Sequence, residues 1–319
     1  VPASRFDPTS PSVPDAVAAL RRAVLASPLL AALGPVGKPV QAVAISADGH
    51  RIAIGSATGG VFLLGPSGRD VLAAIAPATR SNGAGRTSLA FSRDGSFLAA
   101  SGGFDIRIIG RDGTLLATQK YPSPMPVGFS SLTESADGAY IIASRIGEIW
   151  VFDAKTGAEL RHWQTPGRAI SLLAASPDAS RIIACGVDGS IVFWSVVTGE
   201  KVQELPPHGG SIIACGYDRQ GQHFFSSSTD GVVRVYNAGD AKASFEWNGV
   251  GAGVTYATFS PDGKQIAFGT GEGIVLGWTY GSAEKPARLQ VDGGAIRFIT
   301  YAREGRSLIA VSASGYLAA

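Results

Sequence analysis

A chain of 319 residues with 45% hydrophobic side chains, 42 glycines and only 16% charged residues has the apolar content of a packed, turn-rich globular protein, which excludes a disordered one. A formal net charge of +2 is too small to steer a polyanion, so nucleic acid is not expected as a partner. Two cysteines, Cys185 and Cys215, exclude a disulfide framework, point to a reducing compartment and read as small apolar packing residues.

In chain order, residues 1–12 read as a flexible lead-in, rich in proline and serine. Residues 13–27 read as one short amphipathic helix. Ser12-Val13-Pro14-Asp15 has capping-box spacing, and Val13, Val17, Leu20 and Val24 recur at helical intervals. The uncharged run AVLASPLLAALGPVG from Ala23 is broken by Pro and Gly and is too short to span a bilayer. No charged region, apolar region and cleavage site stand in signal-peptide order. Because the first residue is Val1, the chain is expected to be processed or to be a piece of something longer. Pro28 argues against continuing the helix, since a helix-interior proline costs about 3 kcal/mol. Residues 28–35, PLLAALGP, stand before the first repeat where RDVLAAIAP stands before the second, and so read as a strand.

From there the chain repeats itself. AISADGHRIAIGS from Ala44, AFSRDGSFLAAS from Ala90 and TFSPDGKQIAFGT from Thr258 share one frame. Its turn residue recurs as Asp48, Asp94, Asp137, Asp178, Gln220, Asp262 and Glu304, at intervals of 46, 43, 41, 42, 42 and 42 residues. Seven units of one period define a repeat architecture. Two residues before a Ser-type marker at Ser46, Ser92, Ser135, Ser176, Asp218, Ser260 and Ala302 stand Ala44, Ala90, Thr133, Ala174, Gly216, Thr258 and Thr300, all small, while the neighbouring positions are mostly large or apolar. That alternation is a strand's period of two. After the Asp-Gly turn come a second apolar run (RIIACG, QIAFGT), a third (IVFW, VVRVY) and a fourth, weaker one (AELRHW, KVQEL). The expected fold is all-β: a seven-bladed β-propeller of four-stranded antiparallel blades over residues 28–319, with a short N-terminal helix. The last repeat lacks a fourth strand, and residues 28–35 are expected to supply it and close the last blade, removing two open edges.

The aromatic that ends the third run (Phe152, Trp194, Tyr236, Trp278), the TG turn after it and the SPDG-type hairpin give the chain a resemblance to the WD-repeat β-propellers over roughly residues 28–319. Phe152-Asp153 keeps the acid after the aromatic, and Trp194 and Trp278 keep the Trp without it. The family's Gly-His dipeptide survives as Pro207-His208, in the blade that also carries Asp230 and Tyr236. The resemblance therefore implies a structural role for His208, Asp230 and Tyr236, and for Asp188 and Trp194 in the blade before. It also implies a non-catalytic protein-interaction or sensor module. The run PDAVAALRRAVLASPLLAAL resembles the junction, in large bacterial signalling proteins of the STAND ATPase type, where helices give way to a WD-repeat sensor, so other domains of the same chain are expected partners.

No residues offer catalysis. His50, His162, His208 and His223 fall in four blades with no metal-binding spacing. No GxSxG elbow is present, and the loops GAGRTS and GVGAGV neither lead into a helix nor supply a P-loop Lys, so both read as turns. The expectation is no enzyme, no metal and no cofactor. What remains is surface. Lys38, Arg80, Arg86, Arg168 and Arg297 lie in loops leading into the innermost strands, with Asp292 against them, and are expected to gather at one channel mouth. Tyr121, Met125 and Phe129 in YPSPMPVGF would add apolar anchors. The expected partner is a protein or peptide of acidic character, without membrane insertion, in the cytoplasm. The alternatives are an anionic small molecule held at the mouth and an extracytoplasmic scaffold propeller.

Overall fold

The computed structural model describes residues 40–318 apart from 47–49, 57–58, 66–70, 77–86, 93, 103–104, 121–128, 136, 146, 167–168, 249–252, 283–285, 303–306 and 313–316. The helix read at residues 13–27 and the closing strand read at 28–35 lie outside the described residues. Within them the chain is all β, and every run of the repeat is a strand. The fourth repeat forms Ile170–Ala175, Arg181–Gly186, Ile191–Ser195 and Lys201–Leu205, hydrogen-bonded in that order and antiparallel throughout. Five other repeats build the same four-stranded sheet, and the seventh contributes three strands among the described residues.

The sheets stack in chain order. First strands touch first strands, Val40–Ile45 against Ser88–Phe91, then Ser131–Glu134, Ile170–Ala175, Ile212–Tyr217, Val254–Phe259 and Ile296–Ala302. Among the described residues, apolar side chains fill six seams, each between two consecutive sheets. The seam of the fourth and fifth, for example, holds Ile183, Cys185, Phe193, Ile212, Phe224 and Tyr236. Both faces of an inner sheet are thus covered, which is why the second strand Phe97–Ser101 is buried along its whole length instead of alternating. The fourth strands lie at the outer edge and are mostly exposed.

The recurrent Ser-x-Asp-Gly is explained by its turn. Ser92, Ser135, Ser176 and Ser260 each accept, at Oγ, the backbone N–H five residues on at 2.9–3.0 Å. The last three also donate to Asp137, Asp178 and Asp262 at 2.5–2.6 Å. Those hydroxyls hold Asp178 and Asp262 below the usual carboxylate range. The glycine that follows takes φ of 69–70° at Gly95, Gly138 and Gly263, and the fourth repeat places Ala179 there at 59°. The acids therefore recur to cap hairpins.

A second device ties the first strands together. Five residues before each marker, Ser130, Ser171 and Thr255 donate to a carbonyl of their own second strand and to the carbonyl that opens the next sheet's first strand. Their outer acceptors are Ile170 at 3.2 Å, Ile212 at 3.1 Å and Ile296 at 2.5 Å. Ser88 and Ser131 accept from Leu132 and Leu173 of the following sheet. A bulge at this point in the first, fourth, fifth, sixth and seventh sheets frees the side chain from the ladder, letting it turn toward its neighbour.

Candidate functional site

In each antiparallel pair the start of a first strand lies opposite the end of a second, as Ile212 opposite Ser228 shows. Loops leading into first strands therefore share one end of the sheets with the turns between second and third strands. Arg297 lies at this end, exposed, at the bulge between Ile296 and Phe298, with Asp292 exposed nearby in sequence. Lys38, Arg80, Arg86, Tyr121, Met125 and Arg168 lie outside the described residues. The same end also carries Asp188, Asp230 and Glu272, exposed and 42 residues apart, one each in the fourth, fifth and sixth sheets. Acids were expected here only at Asp292, so the charge of this end is mixed.

Phe129 requires a correction. It is not an apolar anchor offered to a partner: it has no exposed surface and lies edge-on to Trp150 at 6.4 Å and to Phe152 at 6.3 Å. The cause is its position just before Ser131–Glu134, where the chain has already turned into the seam between the second and third sheets.

His208 is held from three sides at this end. Its ring reaches Asp230 through Nδ1 (3.3 Å) and Ser226 through Nε2 (2.8 Å), while its backbone N–H donates to Gly189 of the preceding sheet at 3.0 Å. Burial, reinforced by Arg234, pushes the His208 pKa below its ordinary value although Asp230 draws it up. Burial thus favours the neutral ring, in which Nδ1–H donates to Asp230 and Nε2 accepts the Ser226 hydroxyl. Asp230 sits below the usual range despite its partial burial, because Val232 and Gly209 donate to it from the backbone at 2.9 and 2.8 Å. Tyr236 stacks on Phe224 at 4.6 Å beside this group.

Ser, His and Asp in this order are the parts of a hydrolase triad, but Ser226 has no exposed surface. No acyl carbon can approach its Oγ, so the trio ties two sheets together and opens to no substrate. In the preceding sheet Asp188 caps its turn, accepting Ser190 N–H at 3.1 Å and Ser190 Oγ at 2.5 Å. Trp194 is buried beside Trp163, its indole N–H has no hydrogen-bond partner among the described residues, and Ala184 stands where the next repeat has Ser226. Among the described residues no three His, Cys, Asp or Glu side chains converge as metal ligands, and no helix is long and apolar enough to cross a membrane.

The neutral His208 makes stability depend on pH. Its folded pKa lies below the value of about 6.5 for the unfolded chain, so the unfolded state takes up the proton first. The contribution is complete above about pH 6.5 and is lost as pH falls through and below it. The melting temperature is expected to fall between pH 7.5 and 5.5, and His208→Gln is expected to flatten that fall. Equal slopes in both proteins would show that this group does not carry it.

Sequence reasoning missed two groups here. The first is the buried pair Asp105 and Arg107, joined at 3.0 Å between Arg107 Nε and Asp105 Oδ1. The second is the row of Ser and Thr side chains between first strands, which was visible as hydroxyls recurring five residues before the marker.

Residues 158–195 and 199–237 each match the WD domain, G-beta repeat family. Apoptotic protease-activating factor 1 of Homo sapiens is 24% identical over 195 residues, covering 59% of this chain and 15% of that protein. Cilia- and flagella-associated protein 52 of Homo sapiens is 28% identical over 105 residues, 33% of this chain and 17% of that protein. Periodic tryptophan protein 2 homolog of Neurospora crassa is 27% identical over 179 residues, 49% of this chain and 20% of that protein. The chain thus spans 15–20% of the length of these curated relatives.

Proposed function

We propose that the seven sheets close into a seven-bladed WD-repeat propeller, and that this propeller is a non-catalytic interaction or sensor module of a larger signalling or scaffold protein in the cytoplasm. The observation that carries this reading is that WD-type repeats of this chain match a small part of much longer proteins, one named for activating a protease. The sealing of Ser226 supports it, since the described hydroxyl with catalytic-looking neighbours is closed to substrate. Residues 28–35 would complete the seventh sheet, which has three strands among the described residues. Deleting residues 1–35 is then expected to cost solubility and broaden unfolding, and a deletion variant melting as sharply and as high as the parent would defeat closure by this strand.

The partner is a protein or peptide, held where the loops lead into the first strands. Lys38, Arg80, Arg86 and Arg168, with Arg297, form its cationic side, and Asp188, Asp230 and Glu272 of the fourth to sixth blades form an acidic side. An acidic segment would be drawn to the first and turned away from the second, an orientation that a uniformly charged rim does not provide. Arg297→Glu is expected to leave the melting temperature within a degree or two, because Arg297 is exposed and exposed substitutions stay within about 0.5 kcal/mol. Partner capture should drop, together with its dependence on salt. Unchanged capture at low and high salt would remove this end from consideration.

A further inference from the structure

Cys185 and Cys215 come from different repeats and meet in one seam. Cys185 is fully buried in Arg181–Gly186, while Cys215, half-buried in Ile212–Tyr217, packs against the same apolar cluster. Their placement follows from register. Cys185 lies opposite Leu172 as Gly269 lies opposite Tyr256, so the two hold equivalent positions, and Cys215 and Ile299 likewise stand three residues before their markers. A Cβ built on Gly269 would be 3.0 Å from Ile299 Cδ1. This pair of positions therefore points side chain at side chain across a seam. In the fourth and fifth sheets both are cysteines, and they pack in the same seam cluster. Ser171 holds the backbones in place there, donating to Cys185 O at 2.9 Å and to Ile212 O at 3.1 Å.

We propose that Cys185 and Cys215 are a modification site that hydroperoxides convert to a disulfide bridging the fourth and fifth sheets. Cys215 is the less buried thiol and meets the oxidant first. Its sulfur attacks one peroxide oxygen, the O–O bond breaks, and hydrogen peroxide leaves a sulfenic acid and one water. The Cys185 sulfur then attacks the Cys215 sulfur, the S–O bond breaks, and the hydroxide departs as water with the Cys185 proton. Two thiols lose two electrons and two protons in all, and the peroxide is reduced to two waters. Burial pushes the Cys185 thiol well up, its contact with Cys215 adding to the effect. That keeps Cys185 unreactive toward outside reagents and leaves it to resolve its neighbour. The bridge would fix two sheets beside the loop that carries His208.

The test uses the whole chain, reduced and then treated with hydrogen peroxide. Expected are a mass about 2 Da lower, loss of both free thiols, a Cys185–Cys215 linked peptide in a non-reducing digest and a melting temperature raised by about 5 °C, all reversed by dithiothreitol. Cys215→Ala should remove the mass loss and the melting shift together. Two thiols that stay free in the folded protein, oxygen adducts without loss of two hydrogens, or dimers linked between chains would each overturn the proposal.

Discussion

Arg107→Ala is expected to lower stability by about 3–5 kcal/mol, the cost of leaving a buried carboxylate without its counter-ion. Neither Arg107 nor Asp105 has exposed surface. Besides Asp105, the guanidinium donates to Ala76 O at 3.1 Å and to Gly59 O at 2.5 Å, both in the preceding sheet. Gly102 makes room for it, since a Cβ there would lie 2.6 Å from Nη2. One side chain therefore serves as ion-pair partner and as tie between the first two sheets. The double variant Asp105→Ala with Arg107→Met removes both charges, and it is expected to be less destabilised than Arg107→Ala alone. Denaturant unfolding of the single and double variants measures both. A loss below about 1 kcal/mol in the single variant, the level of an exposed ion pair, would refute the assignment.

Gly189→Ala is expected to cost about 3 kcal/mol or more. Its φ of 81° lies in the left-handed region, which costs a residue with a Cβ about 1–2 kcal/mol. The new methyl would also overlap the carbonyl oxygen of His208 and approach that of Gly210 to 2.8 Å. Backbone cannot yield as a side chain does, so the loop must shift and the His208 N–H bond to Gly189 must lengthen. Gly199→Ala is the control. It shares a φ of 72°, but its Cβ would meet only the edge of the Trp163 ring at 3.1 Å, and a ring can move by the few tenths of an ångström required. Equal losses in the two variants would mean that backbone overlap at Gly189 adds nothing.

The strands were legible because a strand's period is local. RIIACG and IVFW announce Arg181–Gly186 and Ile191–Ser195 by apolar content and bounding turns alone, and the 42-residue interval placed them in register with the other repeats. Site residues were less legible because burial is decided between repeats. Nothing local marks Arg107 as buried; that it points into a seam depends on Gly59 and Gly102, which sit in other turns. Phe129 follows a run of prolines that reads as loop, and its burial depends on Trp150 and Phe152 of a strand twenty residues on. The thiol pair is invisible in sequence for the same reason, since thirty residues separate two cysteines that one seam brings together.

The hydroxyls between first strands bear on how such a chain can diverge. At Ser130, Ser171 and Thr255 the donor is a side chain, while the acceptor in the next repeat is a backbone carbonyl. Any residue supplies that carbonyl, so each of these bonds constrains the identity of one residue and leaves its partner open. A substitution in one repeat then needs no matching change in its neighbour, and the repeats can drift apart one at a time while their spacing is kept. Where the donor itself has changed, to Ile213 in the fifth sheet, the apolar seam of Phe225, Val235, Phe259 and Phe268 and the bond from Gln220 Nε2 to Pro261 O hold the interface, so a lost hydroxyl is absorbed there.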